Sequence, residues 1–251
     1  MATVNEKMTA IADAIRYYVP ITEKLTLDDM ASNIKEVYQA LWDSFQDNGS
    51  RRNYEMAFAG ISWKPDIFKP KHPMKPSNAV QMFYKATSLT CDIAEVADID
   101  FSDAPSLLQT FQNFGGTRIG VLDIRKATNI TNMIANCSNL VTIDKIIVGG
   151  NLPSTLGFSN CTKLKNVTTE GELVKSVNAG ACPLTVISLK SIITALKDFT
   201  EDTTNRYKYT VTFLTSAFEE LEAEGSTAEY NGVACTWAEL VDNKKWNLVK
   251  A

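Results

Sequence analysis

Apolar residues along this chain follow patterns that change over its length. From Val4 to about Tyr18 they come at alternating steps of four and three, at Val4, Met8, Ile11 and Ile15, so they share one stripe of a helix that Pro20 ends. A second helix is predicted from Thr26, whose hydroxyl caps the first turn with Asp29 in the capping-box position. Its stripe is Leu27, Met30, Ile34, Val37, Leu41 and Phe45. Between about Met82 and Leu189 a short phrase recurs instead. Asn136-Cys137-Ser138-Asn139-Leu140-Val141-Thr142-Ile143 aligns with Asn160-Cys161-Thr162-Lys163-Leu164-Lys165-Asn166-Val167. A third copy runs through Asn113, Phe114, Ile119, Leu122 and Ile124, and weaker copies stand at Ala86, Leu89 and Ile93 and at Ala181-Cys182-Pro183-Leu184. Beyond the repeats, Leu189, Ile192, Ile193 and Leu196 predict a helix, Tyr207 to Phe213 alternates like a strand, and Thr215 or Ser216 opens a helix through Glu222. Thr236 with Glu239 forms a second capping box, and Trp246 to Val249 reads as a closing strand that pairs with Tyr207–Phe213.

Phe114, Cys137, Cys161 and Cys182 are separated by 23, 24 and 21 positions. A period in the twenties is the mark of a leucine-rich solenoid. One such coil cannot bury its own apolar side, so coils stack, and Leu, Ile, Val and Cys at matching positions build continuous internal ladders. Cysteine suits a ladder slot as a small buried hydrophobe, and asparagine suits the bend. Metal ligation by these cysteines fails on spacing, since there is no Cys-x-x-Cys pair and no partnering histidine nearby.

The Asn-Cys-x-x-Leu-x-x-Ile/Val phrase resembles the BspA-like leucine-rich repeat. The flanks Ile11-Ala12-Asp13-Ala14-Ile15-Arg16, Leu25 to Met30, Thr236 to Val241 and Lys245 to Leu248 also resemble those of phage-encoded members of that group in Firmicutes. The resemblance spans nearly the whole chain and departs from the repeat pattern at Cys182-Pro183-Leu184, where leucine arrives one position early. It implies a module that attaches to a larger assembly through its N-terminus.

Residues 42 to 84 carry Phe45, Tyr54, Phe58, Trp63, Phe68 and Phe83 among Pro65, Pro70, Pro73 and Pro76. Prolines at that density favour extended or turn structure, expected here to close the open end of the solenoid. Tyr54 and Trp63 are candidate glycan contacts if their rings stay exposed. Lys64, Lys69, Lys71 and Lys75 with His72 form a basic run that keeps the loop solvated.

A net charge of −4 and a pI near 5.2 argue against nucleic acid or an anionic membrane as a partner. The N-terminus lacks the pattern of a secretory signal and no apolar run is long enough to span a bilayer, so a product made in the host cytoplasm is expected. Five cysteines, mostly in ladder slots, predict free thiols. Leu152-Pro153-Ser154-Thr155-Leu156-Gly157 is read as a loop, and Gly115-Gly116 and Gly149-Gly150 as coil corners that permit positive φ. The carboxylate cluster Asp98-Ile99-Asp100-Phe101-Ser102-Asp103 is read as the wet face of a strand and not a calcium loop, which would need a glycine and a distal glutamate.

The one histidine, His72, has no nucleophile in a recognisable motif around it, and no hydrolase elbow, zinc-protease helix, phosphate loop or dinucleotide fingerprint occurs. The expectation is a non-enzyme with no cofactor and no metal. The expected fold is α/β: a BspA-like leucine-rich-repeat solenoid with an N-terminal helical hairpin and a small C-terminal α/β cap. It divides into an attachment or oligomerisation module (1–46), an aromatic and proline-rich cap (47–81), the repeats (82–187) and the C-terminal cap (188–251). Val4, Met8, Ile11, Ile15, Met30, Ile34, Val37 and Leu41 are the attachment residues. The resulting expectation is a phage virion structural protein, tail- or head-fibre-like or a baseplate accessory, with other virion proteins or itself as partners and a host-surface glycan or protein as ligand. The competing expectations are a bacterial cell-surface or secreted adhesin with the same repeats, and a glycan-cleaving enzyme whose paired carboxylates only a fold would bring together.

Overall fold

The computed structural model describes residues 53–60, 74–87, 99–149 and 152–251. The stripe residues Val4, Met8, Ile11, Ile15, Met30, Ile34, Val37 and Leu41, and Trp63, lie outside the described residues. Within them the protein is mixed α/β, and its two larger sheets are parallel throughout.

The first sheet holds strands β1 (Arg118–Asp123), β2 (Thr142–Val148) and β4 (Asn166–Gly171), in that order. Arg118 lies opposite Thr142 and Thr142 opposite Asn166, a step of 24 residues. The register puts the β-branched residues of successive repeats in one row, Ile119 beside Ile143 beside Val167, each at most 2% exposed. Leu140 and Leu164 precede β2 and β4 at equivalent places and are fully buried. Cys137, Cys161 and Cys182 are buried as well, and the Sγ–H groups of Cys137 and Cys182 donate to the carbonyls of Phe111 and Phe158.

A second set of rungs joins the turn segments that precede these strands. The N–H groups of Leu107, Gln109, Phe111 and Asn113 donate to the carbonyls of Asn129, Thr131, Met133 and Ala135, every second residue, at 2.8–3.0 Å. Tyr54, Met56 and Phe58 donate in the same manner to Asn78, Val80 and Met82, and Gln81 and Phe83 to Leu108 and Thr110. Successive turn segments carry two left-handed residues, as at Gln109 and Asn113 (φ 53° and 58°) and at Asn132 and Asn136 (φ 49° and 57°), whereas the one before β4 carries only Asn160 (φ 56°). Asparagine recurs at the second of these because it tolerates that conformation better than other side chains. The left-handed residue at these corners is therefore Asn113 and not Gly115 or Gly116, and Gly149 too lies outside the positive-φ region.

These rungs revise the expectations for the aromatic segment. Its described parts lie in the ladder, and Phe58, Phe83 and Phe111 stack ring on ring at 5.1 and 5.3 Å. Tyr54 is only 3% exposed, so its ring faces the core and the glycan contact expected there is withdrawn. Asp100 and Asp103 do not alternate on a strand: Asp100 caps a 3-10 turn, Phe101–Asp103, by accepting from the Ser102 N–H. Both carboxylates pair with Lys75, and Asp103 also with Lys126. Leu156–Gly157 is not loop either but a short strand, β3, whose Leu156 is buried, as is Leu152 before it.

The second sheet runs β3, β5 (Val177–Ala179), β6 (Thr210–Phe213) and β9 (Asn247–Lys250). The expected pairing of β6 with β9 is present, and it is parallel. β6 begins three residues later than predicted, after Tyr207, which sits in a turn at φ 53°. Helices α1 (Val186–Ala195), α2 (Thr215–Ala223) and α3 (Trp237–Asn243) supply the crossovers, and the Thr236–Glu239 capping box forms as read. A hairpin of β7 (Ala228–Tyr230) and β8 (Val233–Cys235) completes the described elements.

Helix α1 closes the edge of the first sheet. The N–H groups of Val167 and Thr169 on β4, which another strand would otherwise take, donate to the hydroxyls of Ser188 and Ser191 at 2.9 and 2.8 Å. Ser188 Oγ in turn donates to the Lys165 carbonyl at 3.0 Å. The far end of α1 is held by Lys244, whose ammonium donates to the carbonyls of Thr194 and Leu196 at 2.8 Å each. Replacing the buried Ser188 by Ala leaves the Val167 N–H unpaired, while the Lys165 carbonyl still accepts from the Thr185 N–H, and is expected to lower unfolding stability by about 1–3 kcal/mol in denaturant titration. The exposed Ser216→Ala change is the comparison, expected within about 0.5 kcal/mol.

Candidate functional site

Two surfaces among the described residues gather polar side chains. The first is the outward face of the first sheet. Its inward side chains alternate with Arg118, Val121, Thr142, Asp144, Asn166, Thr168 and Glu170, of which Val121 is 48% exposed. Arg118 meets Asp144 with two bonds, 2.7 and 3.0 Å, across β1 and β2. Lys145 meets Glu170 at 2.6 Å, and the Asn166 amide donates to Thr142 Oγ1 at 3.3 Å. Exposed pairs of this kind contribute little to stability, about 0–1 kcal/mol each. They fix side-chain positions on a polar, charge-balanced surface. Parallel sheets are usually covered on both faces, and among the described residues no element packs over this outward one.

The second is a cleft of about 410 Å3 at the leading ends of the second sheet's strands. Leu152 and Pro153 come from the approach to β3, Val174 and Lys175 from the approach to β5, and Tyr209 from the approach to β6. Phe199, Asp202 and Asn205 enter from the α1–β6 crossover. The Lys175 ammonium donates to the Tyr209 hydroxyl (3.2 Å), which donates to Asn205 Oδ1 (3.3 Å), whose amide donates to Asp202 Oδ2 (2.7 Å). The Asn205 amide, with the N–H groups of Thr204 and Asn205, holds the Asp202 carboxyl below the usual carboxylate range. Asp202 therefore stays ionised in the cleft at neutral pH. Behind this polar wall Phe199, Tyr209 and Trp246 pack with centroids 5.5–5.7 Å apart. The aromatic faces are taken up by one another and by Lys175, which lies 5.1 Å from the Tyr209 centroid. The cleft therefore offers hydrogen-bonding edges and not a free ring for stacking.

The buried thiols are positioned for packing. The Cys137 thiol is pushed up by its hydrogen bond with Cys161 and by burial, and Cys182 by burial. Thiolate, the reactive form, is suppressed in both. Iodoacetamide is expected to alkylate the half-buried Cys235 of the native protein about 100-fold faster than Cys137, Cys161 or Cys182, a difference that unfolding in urea removes. Peptide mapping by mass spectrometry reads the rates. Among the described residues no group of three or more His, Cys, Asp and Glu side chains is placed to hold a metal ion.

The cleft is not legible in the sequence. Lys175 stands 34 positions before Tyr209, with Asn205 only four positions from it, and the lysine meets the other two because the parallel crossover returns β6 to the same edge of the sheet as β5. Tyr209 is visible there only as part of an alternating strand. Of the residues expected to make external contacts, Tyr54 is internal and the rest lie outside the described residues. Compared with protein families, with curated proteins and with solved structures, the chain finds no match in any of the three.

Proposed function

We propose that this chain is a non-enzymatic virion structural protein of a bacteriophage, fibre-like or a baseplate accessory, built as a BspA-like leucine-rich-repeat solenoid. In this reading residues 1–46 attach it to other virion proteins or to further copies of itself. The stacked coils then present the outward face of the first sheet and the adjoining cleft to material on the host surface. The observation that carries the reading is the 24-residue parallel register, which stacks equivalent side chains of successive repeats and leaves a regular polar face outside. Repeating surfaces of this type bind partners and do not need a poised nucleophile. The phage context rests on the resemblance of the repeat phrase and of both flanks to phage-encoded proteins.

Mass spectrometry of particles purified from the strain that carries the gene tests the assignment. The chain is expected in intact virions at a fixed ratio to the major tail or capsid protein. Its absence from purified particles overturns the virion role.

A further inference from the structure

The turn ladder has a direction. Alternate N–H groups of each coil point to the following coil, as from Leu107, Gln109, Phe111 and Asn113, while alternate carbonyls, as at Leu108, Thr110 and Gln112, receive from the preceding one. The next coil, Asn129–Asn136, has the same pair of left-handed residues, and by the same alternation Ile130, Asn132, Ile134 and Asn136 should donate onward. Only Asn136 does, to the Ser159 carbonyl at 2.8 Å. Among the described residues the N–H groups of Ile130, Asn132 and Ile134 have no partner, although Ile130 and Ile134 are 3% and 0% exposed.

A groove of about 270 Å3 lies between this row and the segment Ser154–Gly157. On its far side Leu156 and Phe158 donate onward to Ser176 and Asn178, so the alternation turns the carbonyls of Thr155 and Gly157 back toward the groove. One wall thus offers main-chain donors and the other main-chain acceptors. The side chains that line it are hydroxyls, amides and aliphatic groups, with no charge among them. Buried amides are almost always paired, and leaving one unpaired costs about 1–3 kcal/mol. Three such amides at alternate positions beside an open space, those of Ile130 and Ile134 in buried residues and that of Asn132 in an exposed one, mark a place where something else completes the ladder.

We propose that this groove is a main-chain docking site that accepts an extended, uncharged polypeptide segment of a partner protein between the two coils. A peptide repeats its N–H and C=O groups every two residues, the spacing at which both walls present theirs, and it supplies acceptors to one wall and donors to the other. A simple anion would meet the donor wall but would be repelled by the facing carbonyls. The inference stands apart from the virion assignment, because it needs only the interrupted ladder.

The test uses the full chain, 15N-labelled, titrated with the capped hexapeptide acetyl-(Thr-Val)3-amide. Its β-branched residues keep it extended. Expected are saturable shifts of the Ile130, Asn132 and Ile134 amide signals and hydrogen exchange there slowed by at least about tenfold. The same peptide with N-methylated valines is expected to bind about tenfold more weakly or worse. Gly157 has open space where a Cβ would stand, so Gly157→Trp is expected to block the groove and abolish the shifts while thermal unfolding stays unchanged. The proposal is overturned if these amides already exchange as slowly as Phe111 without peptide, since the ladder would then be closed in solution. It is also overturned if peptide leaves the signals unmoved, or if N,N′-diacetylchitobiose moves them and the peptide does not.

Discussion

Substituting Ala for Gly171 is expected to lower unfolding stability by about 3–5 kcal/mol, read as an earlier midpoint in urea and a melting temperature roughly 10 °C lower. Gly171 closes β4 opposite Val148 of β2 with φ +97°, a region that residues with a Cβ rarely enter. A Cβ built there would lie 2.1 Å from the Val148 carbonyl oxygen and 3.1 Å from its carbon. The obstacle is main chain, and main chain already committed to the pairing of two strands, so it cannot turn aside as a side chain would. Relief requires the ends of β2 and β4 to part, which also loosens the apolar rows beneath them. Gly225 isolates the conformational part of the effect. It has φ +71° with nothing within 4 Å of the place a Cβ would take, so Gly225→Ala should lose only about 1 kcal/mol. Equal losses at the two glycines would mean that the close approach of coil to coil is not present in solution.

Truncating Phe111 to Ala is expected to cost about 3–5 kcal/mol, the range for a large side chain lost from a packed interior. Phe111 is fully buried and stacks on Phe83 at 5.3 Å, while the edges of Phe101 and Phe114 meet it at 5.8 and 5.5 Å. Removing its ring opens a cavity shared by three neighbouring turn segments, and none of the three can close it without breaking its rungs to the others. Phe83→Ala should therefore couple to Phe111→Ala: the double variant is expected to lose less than the two single losses added, by about 1 kcal/mol or more. Tyr207→Ala, 44% exposed and in a turn, should stay within about 1 kcal/mol of the parent in the same urea titration.

What sequence pattern can supply divides along physical lines. Repeat spacing places Leu140 over Leu164 and the cysteines in one ladder, because burial of equivalent residues leaves a periodic signature. Local signals are equally legible: the Thr236–Glu239 box, the apolar stripe of α1 and the alternation in β6 each show within a few residues. The turn rungs do not, because hydrogen bonds between main-chain groups of separate coils leave almost no trace in side chains. The one clue is asparagine at Asn113, Asn136 and Asn160, which marks the bend without revealing its left-handed backbone. Tyr54 misleads for the same reason, since only its place in a rung turns that ring inward. Asp100 alternates in sequence with Asp98, yet local capping of the Phe101–Asp103 turn wins over strand formation. Ser188 and Ser191 look like ordinary helix residues, and nothing short of the fold reveals that they serve as the missing strand beside β4.

The most direct measurement of coil-on-coil stacking is the distance between residues one repeat apart. Val121 and Lys145 are register partners on the outward face of β1 and β2. Nitroxide labels on Val121→Cys and Lys145→Cys, in a chain with Cys91 and Cys235 changed to Ser, should show strong dipolar broadening in frozen solution, as expected for adjacent strands about 5 Å apart. Labels on Val121→Cys and Val233→Cys should not broaden one another to the same degree, since β1 and β8 share no sheet. Absence of broadening between positions 121 and 145 in the folded protein would contradict the parallel 24-residue register, and with it the surface on which the proposed recognition role is built.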